Sequence, residues 1–359
     1  MILAAGYGTR LWPLTIDRTK PAIPFMGRPL IGYVAEYLAG YGFDDIVVNL
    51  HHQPESVRAA LGDGSAFGVR FHYVEEPVIL GTSGAIGNAR RLLDGDHFVV
   101  INGKLATDID LREALDTHRR AEALATLILR PNPARERYST VKVSDGLVTG
   151  FGGYPASASD KAGSAPGAAQ KHEPQRRGVW ATVEDESVGE GTLKESDAVE
   201  APLMFTGIQI LDPRVFEYIP PGVFSHSVTD VYVPAIARGD RVAAHVARGS
   251  WYELSTVRRY LETSVTLMRR EGRDVQLGPG SVVEDGASVA ESVLWENVHV
   301  ARGARVLRSV LGAGVRVGAG EVFDNVAVVR AELARGAERP EKGLEGEFRG
   351  SNFVAPIPG

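Results

Sequence analysis

Short apolar runs alternate with stretches of helical apolar spacing over the first 130 residues. An apolar run predicts a buried strand, whereas apolar residues at intervals of three and four predict an amphipathic helix. Strands are predicted at Met1–Ala5, Asp45–Leu50, Val69–Val74, His97–Asn102 and within 121–130, and helices at Leu30–Tyr41, Pro54–Leu61, Gly84–Leu93 and Leu111 to about Arg120. This alternation is typical of the α/β class with a doubly wound, mainly parallel sheet, which binds ligands beyond the carboxyl ends of its strands.

The pattern changes between residues 156 and 200. Residues 156–168 are small and polar, and residues 169–200 are charged with little apolar periodicity. Such a segment has little apolar surface to bury, so we expect a flexible insertion at 156–200. A strand at 202–208 and a helix at 256–270 follow it, and they complete a first domain over residues 1–262.

Residues 275–330 repeat with a period of 17. Leucine recurs at 277, 294 and 311, valine at 283, 300 and 317, and an apolar residue at 289, 306 and 323. A triangular solenoid of parallel strands requires one inward aliphatic residue per side and small residues at its corners. The repeat resembles the left-handed parallel β-helix of hexapeptide-repeat proteins, with some sides of five residues. The alternative is an ordinary antiparallel sheet, but nine positions in register favour the solenoid.

The remaining residues, 331–359, are interpreted as a C-terminal tail. A short solenoid exposes one end and flat apolar faces, which usually need covering. We therefore expect a homo-oligomer that assembles through residues 275–359.

Composition narrows the class of function. Hydrophobic residues are 44% and charged residues 23%, which is ordinary for a globular protein, and the net charge of −6 argues against a nucleic-acid partner. The absence of cysteine excludes disulfides, thiol catalysis and cysteine-ligated zinc. The sequence shows neither a signal peptide nor a long apolar run, which predicts a cytoplasmic protein without a membrane partner.

The first strand runs directly into the segment Gly6-Tyr7-Gly8-Thr9-Arg10. Two glycines allow the backbone to turn tightly and to present its N–H groups to an anion. Arg10 and Lys20 add two full positive charges to such a pocket. A loop of this kind suits a nucleotide polyphosphate, although Gly-x-Gly alone is a weak signal.

The whole N-terminal string resembles the signature of the sugar-1-phosphate nucleotidylyltransferases, typified by mannose-1-phosphate guanylyltransferase. The matching residues are Leu3, Ala4, Ala5, Gly6, Gly8, Thr9, Arg10, Leu11, Pro13, Leu14, Lys20 and Pro21. The resemblance implies that a sugar-1-phosphate oxygen attacks the α-phosphorus of a nucleoside triphosphate and that pyrophosphate leaves. Its implied partners are a nucleoside triphosphate or nucleotide sugar and a hexose-1-phosphate, and its implied cofactor is Mg²⁺.

The resemblance also assigns roles to individual residues. Arg10 and Lys20 would be catalytic. The nucleotide would contact Leu3, Ala5, Gly6, Gly8, Thr9, Glu76, Gly81, Thr82 and Asn102, and the sugar phosphate would contact Lys104, Thr206 and Gly207. Glu253 is the remaining candidate metal ligand.

The segment Leu80-Gly81-Thr82-Ser83-Gly84-Ala85 resembles the loop that binds the base in this family. Glu75 or Glu76 just before it offers a carboxylate acceptor, which suits the N1–H and N2–H₂ edge of guanine and could also take the single N3–H of uracil or thymine. The alternative interpretation is a helix N-terminus at Thr82 preceded by exposed glutamates.

Three motifs depart from the family pattern. Where the family has a Gly-Asp pair whose aspartate binds Mg²⁺, this chain has Gly103-Lys104, and a lysine cannot ligate the ion. The pattern Trp-x-Asp-x-Gly-Thr-Pro becomes Trp251-Tyr252-Glu253-Leu254-Ser255-Thr256-Val257, which keeps an acid with one more methylene. The charged pair of the sugar-binding Phe-x-Glu-Lys-Pro becomes Gly153 and Tyr154. Asp108 and Asp110 lie near the missing aspartate, but Asp110 is better explained as a helix cap.

The sequence therefore supports two main hypotheses. The first is a working transferase, with GMP as the favoured nucleotidyl group, in which Lys104 supplies fixed positive charge in place of Mg²⁺. The second is a catalytically impaired regulatory homologue that binds nucleotide or nucleotide sugar. An introduced substitution at 104 would also explain the lysine. An acyltransferase solenoid is disfavoured, since His299 is the only histidine within the repeats.

Overall fold

The computed structural model describes residues 1–136, 138–152 and 201–358. The expected flexible insertion at 156–200, together with Gly153 and Tyr154, lies outside these residues. In the first domain the strands are β1 (Ile2–Leu3), β2 (Pro24–Phe25), β3 (Arg28–Pro29), β4 (Asp45–Leu50), β5 (Arg70–Glu75), β6 (Phe98–Asn102), β7 (Leu105–Thr107), β8 (Ala125–Pro131), β9 (Thr140–Ser144), β10 (Leu147–Phe151), β11 (Leu203–Leu211), β12 (Val242–Val246) and β13 (Trp251–Glu253).

The helices of the first domain lie between these strands. They are α1 (Leu30–Ala39), α2 (Pro54–Leu61), α3 (Gly81–Asn88), α4 (Arg90–Leu93), α5 (Leu111–Ala121), α6 (Val233–Ala237) and α7 (Val257–Arg270). A π-helical segment, Ser227–Tyr232, precedes α6, and short 3₁₀ turns occur at Thr9–Leu11, Lys20–Ala22, Ser65–Phe67 and Pro213–Glu217. Most predicted elements are confirmed to within a few residues, except that the helix expected at 84–93 begins at Gly81 and is divided into α3 and α4.

Within the described residues, nine strands form one sheet in the order β5-β4-β1-β6-β11-β8-β12-β10-β9. The pairs β5–β4, β4–β1 and β1–β6 are parallel, as the strand–helix alternation predicts. β11 then pairs antiparallel with both β6 and β8, so the second half of the sheet is mixed. Strand β11 directly follows residues 156–200, whose sequence has little apolar periodicity. The strand–helix alternation of the first 130 residues therefore did not predict the direction of β11.

Residues 275–330 form the predicted solenoid. Three parallel sheets make its sides: β14 (Val275–Leu277), β17 (Ser292–Leu294), β20 (Val310–Leu311) and β23 (Val326–Arg330); β15 (Val282–Val283), β18 (His299–Val300) and β21 (Arg316–Val317); and β16 (Ser288–Ala290), β19 (Arg305–Leu307) and β22 (Val322–Asp324). The predicted 17-residue register is confirmed, since Leu277 pairs with Leu294 and Leu294 pairs with Leu311. The antiparallel alternative is wrong for this segment.

The segment after the solenoid is folded against it. Helix α8 (Ala331–Arg335) leads to β24 (Glu347–Arg349) and β25 (Asn352–Pro356), and β25 pairs antiparallel with β23. The segment interpreted as a tail thus extends one side of the solenoid and buries Phe353, Val354 and Ile357. Self-association through residues 275–359 stays a prediction.

The solenoid also packs against the residues that follow the N-terminal glycine loop. The Arg18 guanidinium forms an ion pair with Glu296 at 2.8 Å and lies 5.0 Å from the centre of the Trp295 ring. Trp12 is buried, contacts the Phe353 ring at 5.3 Å, and its carbonyl accepts a hydrogen bond from the Leu344 amide. Because Trp12 and Arg18 lie between Arg10 and Lys20 in the chain, the solenoid and the segment after it help to position that loop.

Among residues 1–136, 138–152 and 201–358, no helix is long and apolar enough to cross a membrane.

The burial pattern yields a stability prediction for the solenoid. Phe323 is 1% exposed inside the solenoid, whereas its neighbour Val322 is 56% exposed. Replacing Phe323 by alanine should lower the free energy of unfolding by about 3–5 kcal/mol, since it removes buried surface and leaves a cavity. Val322→Ala should change it by less than about 0.5 kcal/mol. Urea denaturation followed by circular dichroism measures both, and equal effects would contradict the assigned core.

Candidate active site

The two glycine loops meet at one edge of the sheet because β1 and β6 are parallel neighbours. Leu3 pairs in register with Asn102, and the Gly103 amide donates a hydrogen bond to the Leu3 carbonyl at 2.9 Å. A Cβ on Gly103 would lie 3.0 Å from both that carbonyl oxygen and the Ile2 side chain. This close approach favours glycine at 103 and sets the loop that carries Lys104 beside the loop that carries Arg10.

The first loop folds as its glycines predict. Gly8 has a φ of +66°, and a Cβ there would lie 3.1 Å from Cβ of Lys20. Gly8 therefore allows the chain to pass close to Lys20, which begins a short 3₁₀ turn together with Pro21. Around Gly6, a Cβ would meet no described atom within 4 Å, so this part of the loop faces open space.

Three cations face this space. Lys20 is half-buried, Arg10 is exposed, and Lys104 has a side chain that is 27% exposed. Burial, together with the positive charges of Lys104 and Arg10, lowers the pKa of Lys20 to about 8. Among the described residues Arg10 has no ion-pair partner. The arrangement concentrates positive charge that an anionic ligand would neutralise.

A cavity of about 320 Å³ opens beside these cations. It is lined by most of the residues predicted to bind nucleotide, together with both lysines: Leu3, Ala5, Gly6, Lys20, Glu76, Gly81, Thr82, Asn102 and Lys104. Gly8 and Thr9 do not line it. They shape the turn that leads to Arg10.

Burial distinguishes the Glu75 carboxylate from the Glu76 carboxylate. Glu75 is exposed and pairs with Arg58 at 2.5 Å. Glu76 is 3% exposed, and its carboxylate accepts hydrogen bonds from Asn49 Nδ2 at 2.6 Å and from the Leu80 amide at 2.9 Å. Each carboxylate oxygen can accept a second hydrogen bond, so Glu76 is the acceptor that a base in this cavity would meet.

The helix-start interpretation of residues 80–82 also agrees with the structure, because α3 begins at Gly81. The Thr82 hydroxyl accepts a hydrogen bond from the Ser227 amide at 2.8 Å. Gly81 has a φ of +75°, and a Cβ there would lie 2.4 Å from the Ser225 carbonyl oxygen. The close approach of the 225–227 segment therefore explains the glycine at 81 without reference to a bound base.

A second cavity, of about 530 Å³, adjoins the first and shares Leu3, Thr82, Asn102 and Lys104 with it. Its further lining residues include Arg10, Tyr138, Thr206, Gly207, Trp251 and Glu253. Thr206 is buried and donates its hydroxyl hydrogen to the Ile128 carbonyl, so its side chain supports the strand. Gly207 has a φ of +80°. A Cβ at this position would lie 2.0 Å from Nδ2 of Asn102, so the glycine leaves room for the Asn102 side chain.

Glu253 is enclosed by donors in this second cavity. Its Oε1 forms an ion pair with Lys104, and its Oε2 accepts from Tyr138 at 3.1 Å, Ser255 at 3.3 Å and Arg259 at 3.3 Å. Burial acts to raise the pKa of Glu253, but the Lys104 charge, the hydrogen bonds and Arg259 outweigh it and hold the pKa below its ordinary value. The Glu253 side chain is only 10% exposed.

These residues do not fit a divalent cation. The described part of the chain contains no group of three or more histidines, cysteines, aspartates or glutamates that could hold a metal ion. Asp108 accepts a hydrogen bond from the Ser250 amide, and Asp110 caps α5 by accepting from the Arg112 amide at 2.8 Å, as predicted. Neither aspartate lines the two cavities.

Sequence reasoning missed three residues that hold the site together. Asn49 accepts a hydrogen bond from the Ala4 amide at 2.7 Å and donates to Glu76, which ties the first loop to the part of the cavity that Glu76 lines. Asn49 could have been found from the sequence, because it is a polar residue inside an otherwise apolar predicted strand. Tyr138 and Arg259 surround Glu253, but they are 121 residues apart along the chain and no local pattern connects them.

Comparison with known proteins agrees with this architecture. The chain is 27% identical, over 97% of its length, to a UTP–glucose-1-phosphate uridylyltransferase from Synechocystis, of which it covers 87%. It is 28% identical, over 91% of its length, to a mannose-1-phosphate guanylyltransferase from Mycobacterium tuberculosis, of which it covers 80%. An N-acetylmuramate α-1-phosphate uridylyltransferase from Neisseria meningitidis is 46% identical over 118 residues, which are 33% of this chain and 51% of that one.

Among solved structures, HddC from Yersinia pseudotuberculosis in complex with GMP-PN aligns with a TM-score of 0.53 and 19% identity, over 74% of this chain and 97% of that one. This likeness shows a shared fold. A model for a GlmU-like C-terminal hexapeptide domain matches residues 265–335, and the model for the nucleotidyl transferase family matches residues 1–270. The chain thus belongs to the nucleotidyl transferase family, among relatives that act on sugar-1-phosphates.

Proposed function

We propose that this protein transfers a nucleotidyl group from a nucleoside triphosphate to a hexose-1-phosphate. An oxygen of the sugar phosphate forms a bond to the α-phosphorus, the bond from that phosphorus to the bridging oxygen breaks, and pyrophosphate leaves with the electron pair. The observation that carries the proposal is the cluster of Arg10, Lys20 and Lys104 at the junction of two adjacent cavities. Positioning and charge neutralisation supply most of the catalysis in phosphoryl transfer.

The two cavities suit the two substrates. The smaller one is lined by Glu76 and Gly81, beside which a base would lie, and by Lys20. The larger one contains Trp251 and the backbone at Gly207, which offer an apolar surface and polar groups to a sugar. Since Lys104 and Asn102 line both cavities, the reacting α-phosphate would lie beside them.

Arg10 and Lys20 differ in the help they would give. The guanidinium of Arg10 is exposed and can grip two phosphate oxygens at once, which suits the departing pyrophosphate. The Lys20 ammonium lies deeper in the smaller cavity and carries charge that its surroundings disfavour. A phosphate placed between the two would relieve their mutual repulsion.

Glu76 favours guanine as the base. Its carboxylate is held in place by Asn49 and the Leu80 amide, and it can accept hydrogen bonds from the N1–H and N2–H₂ groups of guanine. Adenine would present the N1 acceptor to the same carboxylate. The relatives include both uridylyltransferases and guanylyltransferases, so the base preference rests on this residue.

A second candidate function is a homologue that binds nucleotide or nucleotide sugar without efficient turnover. The ion pair between Lys104 and Glu253 favours it, because the site lacks the two carboxylates that its family uses to hold Mg²⁺. Pyrophosphate release distinguishes the two functions. A transferase releases it when a triphosphate and a sugar-1-phosphate are both present, and a binding homologue does not.

The role of Arg10 is tested by truncation. Arg10→Ala should weaken triphosphate binding by about 1.5–3 kcal/mol, which is roughly 10- to 150-fold in Kd, since it removes charged hydrogen bonds. The control is Arg91→Ala, which removes an exposed arginine that lines neither cavity. Titration calorimetry measures both variants. An unchanged Kd for Arg10→Ala would remove Arg10 from the phosphate site.

The base preference is tested with the unaltered protein. GTP should bind at least about tenfold more tightly than ATP, because adenine leaves the buried carboxylate facing another acceptor. ITP, which keeps N1–H and lacks the 2-amino group, should lie between them. Calorimetry gives the three dissociation constants, and equal affinity for GTP and ATP would show that Glu76 does not read the base.

The lowered pKa of Lys20 predicts a pH dependence. Below a pH of about 8 the ammonium is charged and attracts the triphosphate, whereas above this value the free protein loses the charge. Affinity should therefore fall as the pH rises from about 7.5 to 9, and binding in this range should take up a proton. Calorimetry in buffers of different ionisation enthalpy measures that uptake. Lys20→Arg stays charged and should show neither effect, so an equal pH dependence in this variant would assign the titration to another group.

A further inference from the structure

The residues at the two positions where the family pattern expects metal-binding carboxylates contact each other in this protein. Lys104 stands where an aspartate is expected, Glu253 stands where a second aspartate is expected, and their side chains form an ion pair across 149 positions of sequence. The lysine at 104 is the change that alters the charge, since the glutamate at 253 keeps the negative charge of the expected aspartate. Together they give a pair with balanced charge at the junction of the two cavities.

Backbone hydrogen bonds hold the segments that carry Lys104 and Glu253 next to each other. Strand β7 follows Lys104 directly and pairs antiparallel with β13, with Leu105 opposite Glu253. The Leu254 amide also donates to the Lys104 carbonyl at 2.8 Å. Because the two chain segments are hydrogen-bonded on both sides of the pair, the ammonium and the carboxylate are held close together.

The Glu253 carboxylate has little capacity left for a metal ion. It accepts from Lys104, Tyr138, Ser255 and Arg259, and two of these four donors carry full positive charge. A divalent ion at this position would have to displace Lys104 and would then face the charge of Arg259. Mg²⁺ also requires near-octahedral oxygen ligation, which one enclosed carboxylate does not supply.

Lys104, in contrast, can still bind a ligand. An ammonium group has three hydrogen-bond donors, and Glu253 engages one of them at Oε1. The Lys104 side chain is 27% exposed and lines both cavities. Two donors are therefore available to phosphate oxygens, in a place where Lys20 and Arg10 already supply positive charge.

We propose that Lys104, fixed by Glu253, takes the place of a divalent cation and that the protein binds its nucleoside triphosphate as the metal-free polyanion. This inference rests on the proposed nucleotide site. It implies that Mg²⁺ weakens binding or leaves it unchanged, because the ion masks the phosphate charges that the three cations recognise. In a site that depends on a metal, Mg²⁺ would strengthen binding.

The test is calorimetry with GTP in EDTA and in excess MgCl₂. The unaltered protein should bind GTP in EDTA at least as tightly as in MgCl₂. The affinity of Lys104→Met for GTP in EDTA should be at least about tenfold lower, since the substitution removes a charged contact to phosphate. Methionine is used rather than aspartate because an aspartate at 104 would place two carboxylates together. The control for charge is Lys142→Met, which alters an exposed lysine on β9 outside both cavities.

A second measurement reads the metal directly. Electron paramagnetic resonance of added Mn²⁺ should detect no bound ion in the unaltered protein, and a bound ion in the double variant Lys104→Asp with Glu253→Asp. Thermal unfolding of each variant verifies that it is folded. If the double variant does not fold, the EDTA comparison of Lys104→Met with the unaltered protein still decides the question.

The outcomes separate the inference from the proposed function. Absence of binding by GTP, UTP, dTTP and ATP in both EDTA and MgCl₂ would overturn the nucleotide site itself. Binding that requires MgCl₂, with equal affinities for the unaltered protein and Lys104→Met, would overturn only the metal-free inference. Tight binding in EDTA that Lys104→Met abolishes supports both.

Discussion

The parallel pairing of β1 with β6 is the constraint on which the site depends. It brings the carboxyl ends of both strands to one edge of the sheet, so that residues near positions 6 and 103 become neighbours. Asn49, on the next parallel strand, adds a buried link from the Ala4 amide to Glu76. Glu76, the Gly6–Arg10 loop and Lys104 are therefore positioned by three adjacent strands rather than by flexible connections.

Electrostatics then determines what this edge can bind. In the free protein, Lys20 is enclosed and lies near two other cations, and its burial and the repulsion from Lys104 and Arg10 together lower its pKa. Glu253 neutralises Lys104 and is itself surrounded by Tyr138 and Arg259. A polyanion would relieve the repulsion, and any ligand that binds only the native state also stabilises it.

The sequence predicted much of the fold because its signals are local or periodic. The 17-residue step fixed the register of the solenoid, and the helix cap at Asp110 followed from one residue in its context. The antiparallel course of β11 and the enclosure of Glu253 by Tyr138 and Arg259 were not predicted. Both depend on contacts between distant segments, which no local pattern of one sequence reveals.

If Lys104 takes the place of the metal ion, no ion should lie beside Glu253 when the nucleotide is bound. A crystal structure with GTP and Mn²⁺ tests it most directly, because anomalous scattering locates manganese independently of the phosphates. We expect phosphate oxygens within hydrogen-bond distance of Lys104 and Lys20, an intact ion pair between Lys104 and Glu253, and no anomalous peak beside the Glu253 carboxylate. A manganese ion bound to Glu253, with the Lys104 side chain displaced, would contradict it.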